Sequence, residues 1–258
     1  KSVYKDLIEC FESIKNQSIL PSEIILICDG PLRIEIVKIK NLYPYKNLKI
    51  FKLKQNVGLG NALKYGLKKC NNEIVFRMDS DDICLPERFK IQLREILKDP
   101  NLAVLGTNVI LIDKNSNNIL NKARQVPLSN RLIKKNIKIK NPFNHPSVVF
   151  RKSKVIEVGS YEEVNLYEDW YLWFKLTAIK KNKFRNLEKP LLKYRIRSFD
   201  DRRGLKVFKK EFRFYLALLD NSYINKIEFI IFFLIKLLIR ISPKFIYLKF
   251  KSFSDKIS

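Results

Sequence analysis

The sequence predicts an α/β protein, with a mixed, mostly parallel central sheet flanked by helices and a basic helical tail behind it. Three observations carry this expectation. Short runs rich in Ile, Leu, Val and Phe alternate with apolar residues at helical spacing through the first half of the chain, the pattern of βαβ units. Two of those runs end in acidic residues, at the carboxyl ends where open α/β sheets bind their ligands. Past residue 200 the chain turns to Lys, Arg and aromatic residues with few acids, so the α/β domain is assigned to 1–200 and the tail to 201–258.

The elements follow in order. Leu7, Ile8, Phe11 and Ile14 give Tyr4 to Lys15 one apolar helical face. Glu23 to Cys28 reads as a buried strand, closed by the turn signal Asp29-Gly30-Pro31. Leu48 to Leu53 is a second strand, and Asn56-Val57-Gly58-Leu59-Gly60 opens a helix through Ala62, Leu63 and Leu67. A third strand starts at Glu73. Pro86 stands at the start of a helix whose apolar face is Phe89, Leu93, Ile96 and Leu97. Leu102 to Ile112 and Ser147 to Arg151 read as strands, and Val126 to Ile139 as a basic, partly helical connection. Glu168 to Lys181 reads as a helix with acids in its first turn and basic residues in its last, as the macrodipole favours.

A chain of 258 residues can bury roughly three quarters of its unfolded surface and folds without a disulfide or metal staple. Its four cysteines are scattered and form no Cys-x-x-Cys pair, which fits a reducing, cytoplasmic setting. The 51 Lys and Arg against 26 Asp and Glu give a formal charge of +25. Such an excess points to an anionic partner (nucleic acid, an anionic membrane face or a phosphorylated substrate) or to a compositional bias towards Lys. No signal peptide is apparent, and no apolar run reaches the ~20 residues of a transmembrane span.

Against this basic background, Glu73 to Asp82 runs an apolar strand into three carboxylates, Asp79, Asp81 and Asp82. Carboxylates so close repel one another unless a cation lies between them, and a hard divalent ion takes oxygen ligands. A polar turn after a strand is the plainer alternative.

The ordered set Asp29-Gly30, Asn56-Val57-Gly58-Leu59, Asp79-Ser80-Asp81-Asp82 and Glu168-Asp169-Trp170 resembles the family 2 glycosyltransferases. Arg77-Met78-Asp79-Ser80-Asp81-Asp82-Ile83 with Leu85-Pro86-Glu87-Arg88-Phe89, and Asn141-Pro142-Phe143-Asn144-His145-Pro146, resemble the enzymes of bacterial capsule, exopolysaccharide and O-antigen assembly, the amylovoran-biosynthesis type. The resemblance covers residues from about 8 to 197. It implies a GT-A fold and an inverting, metal-dependent transfer from a nucleotide-diphosphate sugar, a UDP-sugar being favoured, to a glycan or lipid-linked hydroxyl.

Carried over residue by residue, Asp29 would hold the base or ribose, Asp79 would sit against the ribose, and Asp81 would ligate the manganese or magnesium ion. Arg77 would help hold the donor, or else pair with a neighbour as a strand-edge cation. Asp169 would be the general base, with Glu168 and Trp170 shaping the acceptor side; acids in a first helical turn also simply cap helices. His145, the lone histidine, would touch acceptor or diphosphate, or serve as a structural hydrogen-bonder. Members of the family usually begin with a strand lining the base pocket. Here Ser2-Val3-Tyr4 leads at once into the first helix, so that strand is missing or abbreviated, which would remove donor contacts.

In the tail, Lys226 to Phe253 alternates apolar blocks with Lys and Arg. It reads as an interfacial helix or helix pair on an anionic leaflet, placing the protein peripherally on the inner face of the cell membrane. A helix packed back on the domain, or a dimer contact, is the alternative. Two other functions remain: an inactive or truncated transferase-like protein, and a basic nucleic-acid-binding protein. The second leaves Asp79, Asp81, Asp82, Glu168 and Asp169 without a purpose, so nucleic acid is not expected as a partner.

Overall fold

The computed structural model describes residues 4–31, 47–113, 115, 117, 124–164, 166–196 and 204–241. Ser2 and Val3 at the start, Arg202 and Arg203, and the basic-aromatic stretch from Lys244 to Phe253 lie outside them. The first helix, α1 (Tyr4–Lys15), buries Leu7, Phe11 and Ile14. β1 (Ile24–Cys28) pairs in parallel with β2 (Leu48–Lys52), in the register Leu26 opposite Ile50. Only Cys28 of β1 is buried; the strand expected to be wholly buried is half-covered, because among the described strands β2 alone pairs with it.

α2 (Leu59–Lys69) follows β2, and β3 (Ile74–Phe76), β4 (Ile83–Cys84) and α3 (Arg88–Leu97) follow in turn. The segment from Leu102 to Ile112, read as one strand, divides into β5 (Leu102–Thr107) and β6 (Ile110–Ile112), which join different sheets. The break falls at Asn108, whose side chain turns inward to donate to Glu188 O and accept from Val126 N. α4 (Asn130–Asn136) is capped by Ser129. A short 3₁₀ turn (His145–Ser147), β7 (Val149–Arg151), α5 (Lys152–Glu157), α6 (Glu168–Ala178), β8 (Lys183–Leu187) and β9 (Leu192–Arg195) complete the domain.

One sheet runs β3-β7-β5-β8 and another β4-β9-β6. β7 enters antiparallel between β3 and β5, while β5 pairs in parallel with β8 and β6 with β9. Parallel and antiparallel pairings are therefore balanced among the described strands, more antiparallel than βαβ repetition alone would give. β5 has partners on both edges, and all six of its residues are buried.

α6 explains where the core sits. Its sequence is apolar almost all round, the mark of a helix enclosed on every side, and Trp170, Tyr171, Leu172, Trp173, Phe174 and Leu176 are all buried. It stops at Ala178, before the Lys180 and Lys181 assigned to its last turn. Ile179 turns extended, and the Leu176 carbonyl accepts both from Ile179 N and, at 3.1 Å, from Asn182 Nδ2.

Two tail helices, α7 (Leu205–Asp220) and α8 (Lys226–Ile241), pack against each other and back onto α6. Phe214, Tyr215 and Leu218 belong to the same core cluster as Trp170 and Phe174. Between the two helices, Phe208 and Phe212 meet Phe233 edge-on, and Tyr215 stacks on Phe232. Among the described residues no helix is long and apolar enough to cross a membrane.

Candidate active site

The carboxyl end of β3 carries the acidic turn. Arg77, buried, donates its backbone N–H to Val148 O of the strand alongside and reaches forward to Asp79, Nη2 to Oδ1, at 2.6 Å. Burial alone would lower the guanidinium pKa; the adjoining Asp79 charge more than offsets it, and the value is raised. Arg77 thus does pair with its neighbour, yet its Nε and Nη1 are buried without a hydrogen-bond partner. Two buried, unpartnered donors beside a carboxylate turn give this spot a positive charge suited to an anionic group.

Asp79, Asp81 and Asp82 each offer a carboxylate oxygen, and these atoms lie within 4.8 Å of one another. Asp82 is fully buried; Oδ1 accepts from Arg195 N at 2.8 Å, while Oδ2 has no partner. Burial, with the Asp79 and Asp81 charges beside it, pushes the Asp82 carboxyl well above its ordinary range. An oxygen-only donor set with an orphaned buried carboxylate oxygen fits a hard divalent cation such as magnesium or manganese.

Two buried arginines hold this turn in place, and neither role was read from the sequence. Arg195, the last residue of β9, donates from Nε to Asp81 O at 2.8 Å and from Nη1 to Asp113 O at 3.1 Å, and pairs through Nη2 with Glu9 of α1 at 2.7 Å. Arg88, at the start of α3, donates from Nη2 to Arg77 O at 2.7 Å. Each gathers carbonyls that the tight turn leaves without backbone partners.

The opposite wall comes from the first turn of α6. Asp169 Oδ2 accepts a 2.6 Å hydrogen bond from Asn141 Nδ2 and lies 4.0 Å from His145 Nδ1. Burial raises the Asp169 pKa, and the Asn141 hydrogen bond and the Arg77 charge only partly oppose it. Its side chain keeps 16% of its surface open, so it is a desolvated carboxylate that a substrate can still reach. His145 is buried, and burial together with the Arg77 charge holds its pKa well below the ordinary value. It is neutral, its Nε2 sharing a 3.0 Å hydrogen bond with the Tyr161 hydroxyl. Arg77 acts electrostatically on His145, Tyr161 and Asp169 alike, which brings the β3 end and the α6 start into one site.

Three further expected residues are engaged in contacts of their own. Asp29, at the end of β1, accepts from Val57 N at 2.7 Å and so fastens the Asn56–Gly58 loop. Gly30 beside it has φ +102, and a Cβ there would come 3.1 Å from Asn56 N. Glu168 accepts from Leu166 N at 3.0 Å and packs on Gly60, where a Cβ would lie 2.8 Å from Glu168 Cγ. It clamps the start of α2 to the start of α6. Trp170 donates to Ile137 O at 2.7 Å and packs tilted at 33° against Phe214 with 4.7 Å between centroids, within the core. A separate groove of about 540 Å³ beside β8 shares none of these residues; Arg185 and Lys98 pair with Glu95 there, and Lys183 with Asp99.

The profile of "Glycosyl transferase family 2" matches residues 2–159, and with the full-length relatives this establishes that the chain belongs to that family of glycosyltransferases. It is 38% identical over 245 residues, 93% of this chain and 90% of the relative, to the amylovoran biosynthesis glycosyltransferase AmsE of Erwinia amylovora. It is 33% identical over 244 residues, 92% of this chain and 86% of the relative, to the UDP-Gal:alpha-D-GlcNAc-diphosphoundecaprenol beta-1,3-galactosyltransferase of Escherichia coli. Its fold matches the GT-A structure of S. aureus TarS 1-349 in complex with UDP-GlcNAc, with a TM-score of 0.63 at 20% identity, over 84% of this chain and 63% of that one.

Proposed function

We propose that this chain works in cell-surface polysaccharide biosynthesis, transferring a sugar with inversion from a UDP-sugar to a hydroxyl of a lipid-linked glycan at the inner face of the cell membrane. The observation that carries the reading is the facing pair: an acidic turn with the open donors of Arg77 on one side, and the desolvated Asp169 carboxylate on the other. The polysaccharide role, the UDP donor and the lipid-linked acceptor are supported by what the two bacterial relatives are named for.

Asp81, with Asp79 and Asp82, would hold a divalent cation, which supplies Lewis-acid neutralisation of charge on the departing diphosphate. Asp79 takes the ribose side, kept in position by Arg77, whose buried positive charge attracts the anionic part of the donor. Asp29 holds the base end through the Asn56–Gly58 loop it fastens. Asp169 accepts the proton of the acceptor hydroxyl as that oxygen bonds to the anomeric carbon from the face opposite the leaving group. The bond from that carbon to the diphosphate oxygen breaks with its electron pair leaving on UDP. A carboxylate with a raised pKa is better matched to this proton transfer near neutral pH than an ordinary one. Glu168 and Trp170 serve the acceptor side from beneath, by fixing the first turn of α6, and His145 orders the wall through Tyr161.

Calorimetric titration of UDP, then GDP, with and without manganese tests the donor site. We expect UDP binding that requires both the metal and Asp81, lost in Asp81→Ala. Binding of neither nucleotide with metal present would overturn the reading.

A further inference from the structure

α8 is apolar on both faces: Phe229, Phe232 and Phe233 pack inward on α7, and its outward face is apolar as well. Beyond the exposed Lys226 at its start, its charged residues reach the protein: Lys236 and Arg240 meet Glu211 of α7 at 3.1 and 2.9 Å, and Glu228 pairs with Lys138 at 2.6 Å. Lys236 also lies over the Trp170 ring at 5.7 Å. The outward face is Ile227, Ile230, Ile231, Leu234, Ile235 and Leu238, all between 46 and 71% exposed. Their spacing of three and four residues makes one continuous apolar stripe over the helix. An ordinary amphipathic helix covering a domain would carry polar residues on this outward face.

We propose that this stripe is a membrane-docking surface, and that its occupant is the acyl region of an anionic leaflet. Charge decides between a bilayer and a second copy of the chain. On α7, Lys206, Lys209 and Arg213 are exposed and have no carboxylate partner among the described residues. Lys209 and Arg213 each directly follow a phenylalanine, Phe208 or Phe212, that packs on α8, so the basic row borders the seam between the helices. The sequence beyond α8 adds Lys244, Lys249 and Lys251. A second copy would set a chain of charge +25 against its like, whereas an anionic headgroup layer is complementary to the basic border.

The helix lies on the bilayer and does not cross it. Its 16 residues span about 24 Å at the helical rise, short of the ~30 Å hydrocarbon core. The inference gives a specific face to the peripheral membrane location proposed above, and rests on that location only for its biological setting.

Flotation of the full chain with vesicles of phosphatidylcholine, with and without phosphatidylglycerol, tests it. The wild type floats with the anionic vesicles; Ile231→Glu with Leu234→Glu lowers the bound fraction at least about tenfold, because two charges then enter the apolar layer. Both positions are half exposed or nearly so, and unchanged thermal melting confirms that the variant folds. A second variant, Leu234→Trp, adds an indole on the stripe, while Trp170 and Trp173 are buried away from lipid and give a constant background that the wild type measures. The added indole's emission shifts to the blue on anionic vesicles and is quenched by brominated acyl chains.

Wild-type protein that stays at the bottom of the gradient, or an indole emission in Leu234→Trp that is indifferent to vesicles, overturns the proposal. So does a wild-type dimer in sedimentation that the double variant converts to monomer without changing flotation, since the stripe would then belong to a second copy. UDP titration on the same preparations keeps the two readings apart: metal-dependent binding without flotation removes the membrane face alone, and flotation without nucleotide binding removes the transferase mechanism alone.

Discussion

Asn141 Nδ2 donates a 2.6 Å hydrogen bond to Asp169 Oδ2, tying the loop ahead of β7 to the first turn of α6. This bond lowers the carboxylate pKa that burial raises, and it fixes which way the carboxylate points. Asn141→Ala should therefore lower kcat roughly tenfold, the scale of a lost hydrogen bond to a charged group, with UDP affinity nearly unchanged. Removing a group that lowers the pKa moves the acid limb of the rate profile to higher pH. A profile that keeps its position while only kcat drops would make Asn141 a packing residue.

Asp169 itself has a pKa raised from the ordinary aspartate value because burial disfavours its charged form. A base must be deprotonated, so kcat/KM falls as pH drops through that raised value, and the acid limb lies above the position expected of a solvated aspartate. Asp169→Asn should cost ~10²–10⁴ in kcat, the usual contribution of a general base, and leave metal-dependent UDP binding intact. Assays of sugar transfer across pH measure both effects. Wild-type rates in the variant would remove Asp169 from the chemistry.

Arg195 connects the acidic turn to α1 and β6. It is 5% exposed and serves Asp81, Asp82, Asp113 and Glu9 at once. Replacing it with Met keeps the backbone N–H that serves Asp82 but removes the guanidinium from Asp81 O, Asp113 O, Glu9 and the buried Asp6 carboxylate 3.7 Å away, so Arg195→Met should lose about 3–5 kcal/mol in urea denaturation. Metal-dependent UDP binding should weaken with it, even under conditions where the variant is folded. Stability within about 0.5 kcal/mol of wild type, the range of an ordinary surface change, would contradict this role.

These contrasts show what a sequence reveals of such a site. The acidic turn was legible because its three carboxylates are neighbours in the chain, and their crowding is visible without the fold. Arg195 was not, since its partner Asp82 is 113 residues away and a lone arginine at a strand end carries no local signal. The Asn141–His145 segment was legible as a motif but its roles were not, because they depend on Tyr161 and Asp169 across a loop. The assigned strands and helices held wherever apolar spacing was clean. They shifted at β5–β6 and at the end of α6, where the buried side chains of Asn108 and Asn182 bond the backbone and end the regular segment. The tail helices were visible as apolar, but which face each buries was set by Glu211, one acid among many cations.

His145 makes folding stability depend on pH. Its folded pKa lies well below the ordinary value of 6.5, so between the two values the unfolded chain binds a proton that the folded chain does not. Stability is complete above about pH 6.5 and declines as pH falls below it, by at most about 1.4 kcal/mol per pH unit. Urea denaturation at about pH 7.5 and about pH 5.5, bracketing the ordinary histidine value, should show the loss in wild type and a smaller one in His145→Gln. Equal slopes for the two proteins would mean that His145 is not held neutral.

Glu211 is the acid on which the tail hairpin depends. It is 1% exposed and faces Lys236 and Arg240 at 3.1 and 2.9 Å. Burial alone would raise its pKa; the two cations more than offset this, and the value is lowered. A lowered carboxyl pKa contributes stability that is present above the ordinary glutamate value and is lost as pH falls through the folded value. Glu211→Gln removes the carboxylate that these two inward cations share, and an uncompensated buried charge costs about 3–5 kcal/mol. We expect α7 and α8 to loosen together, with faster amide exchange from residue 205 to 241 and little change at β5. Because the pairs are buried, added salt should not reproduce the effect in wild type. Unchanged exchange in the hairpin of Glu211→Gln would show that the aromatic seam of Phe208, Phe212 and Phe233 holds the two helices by itself.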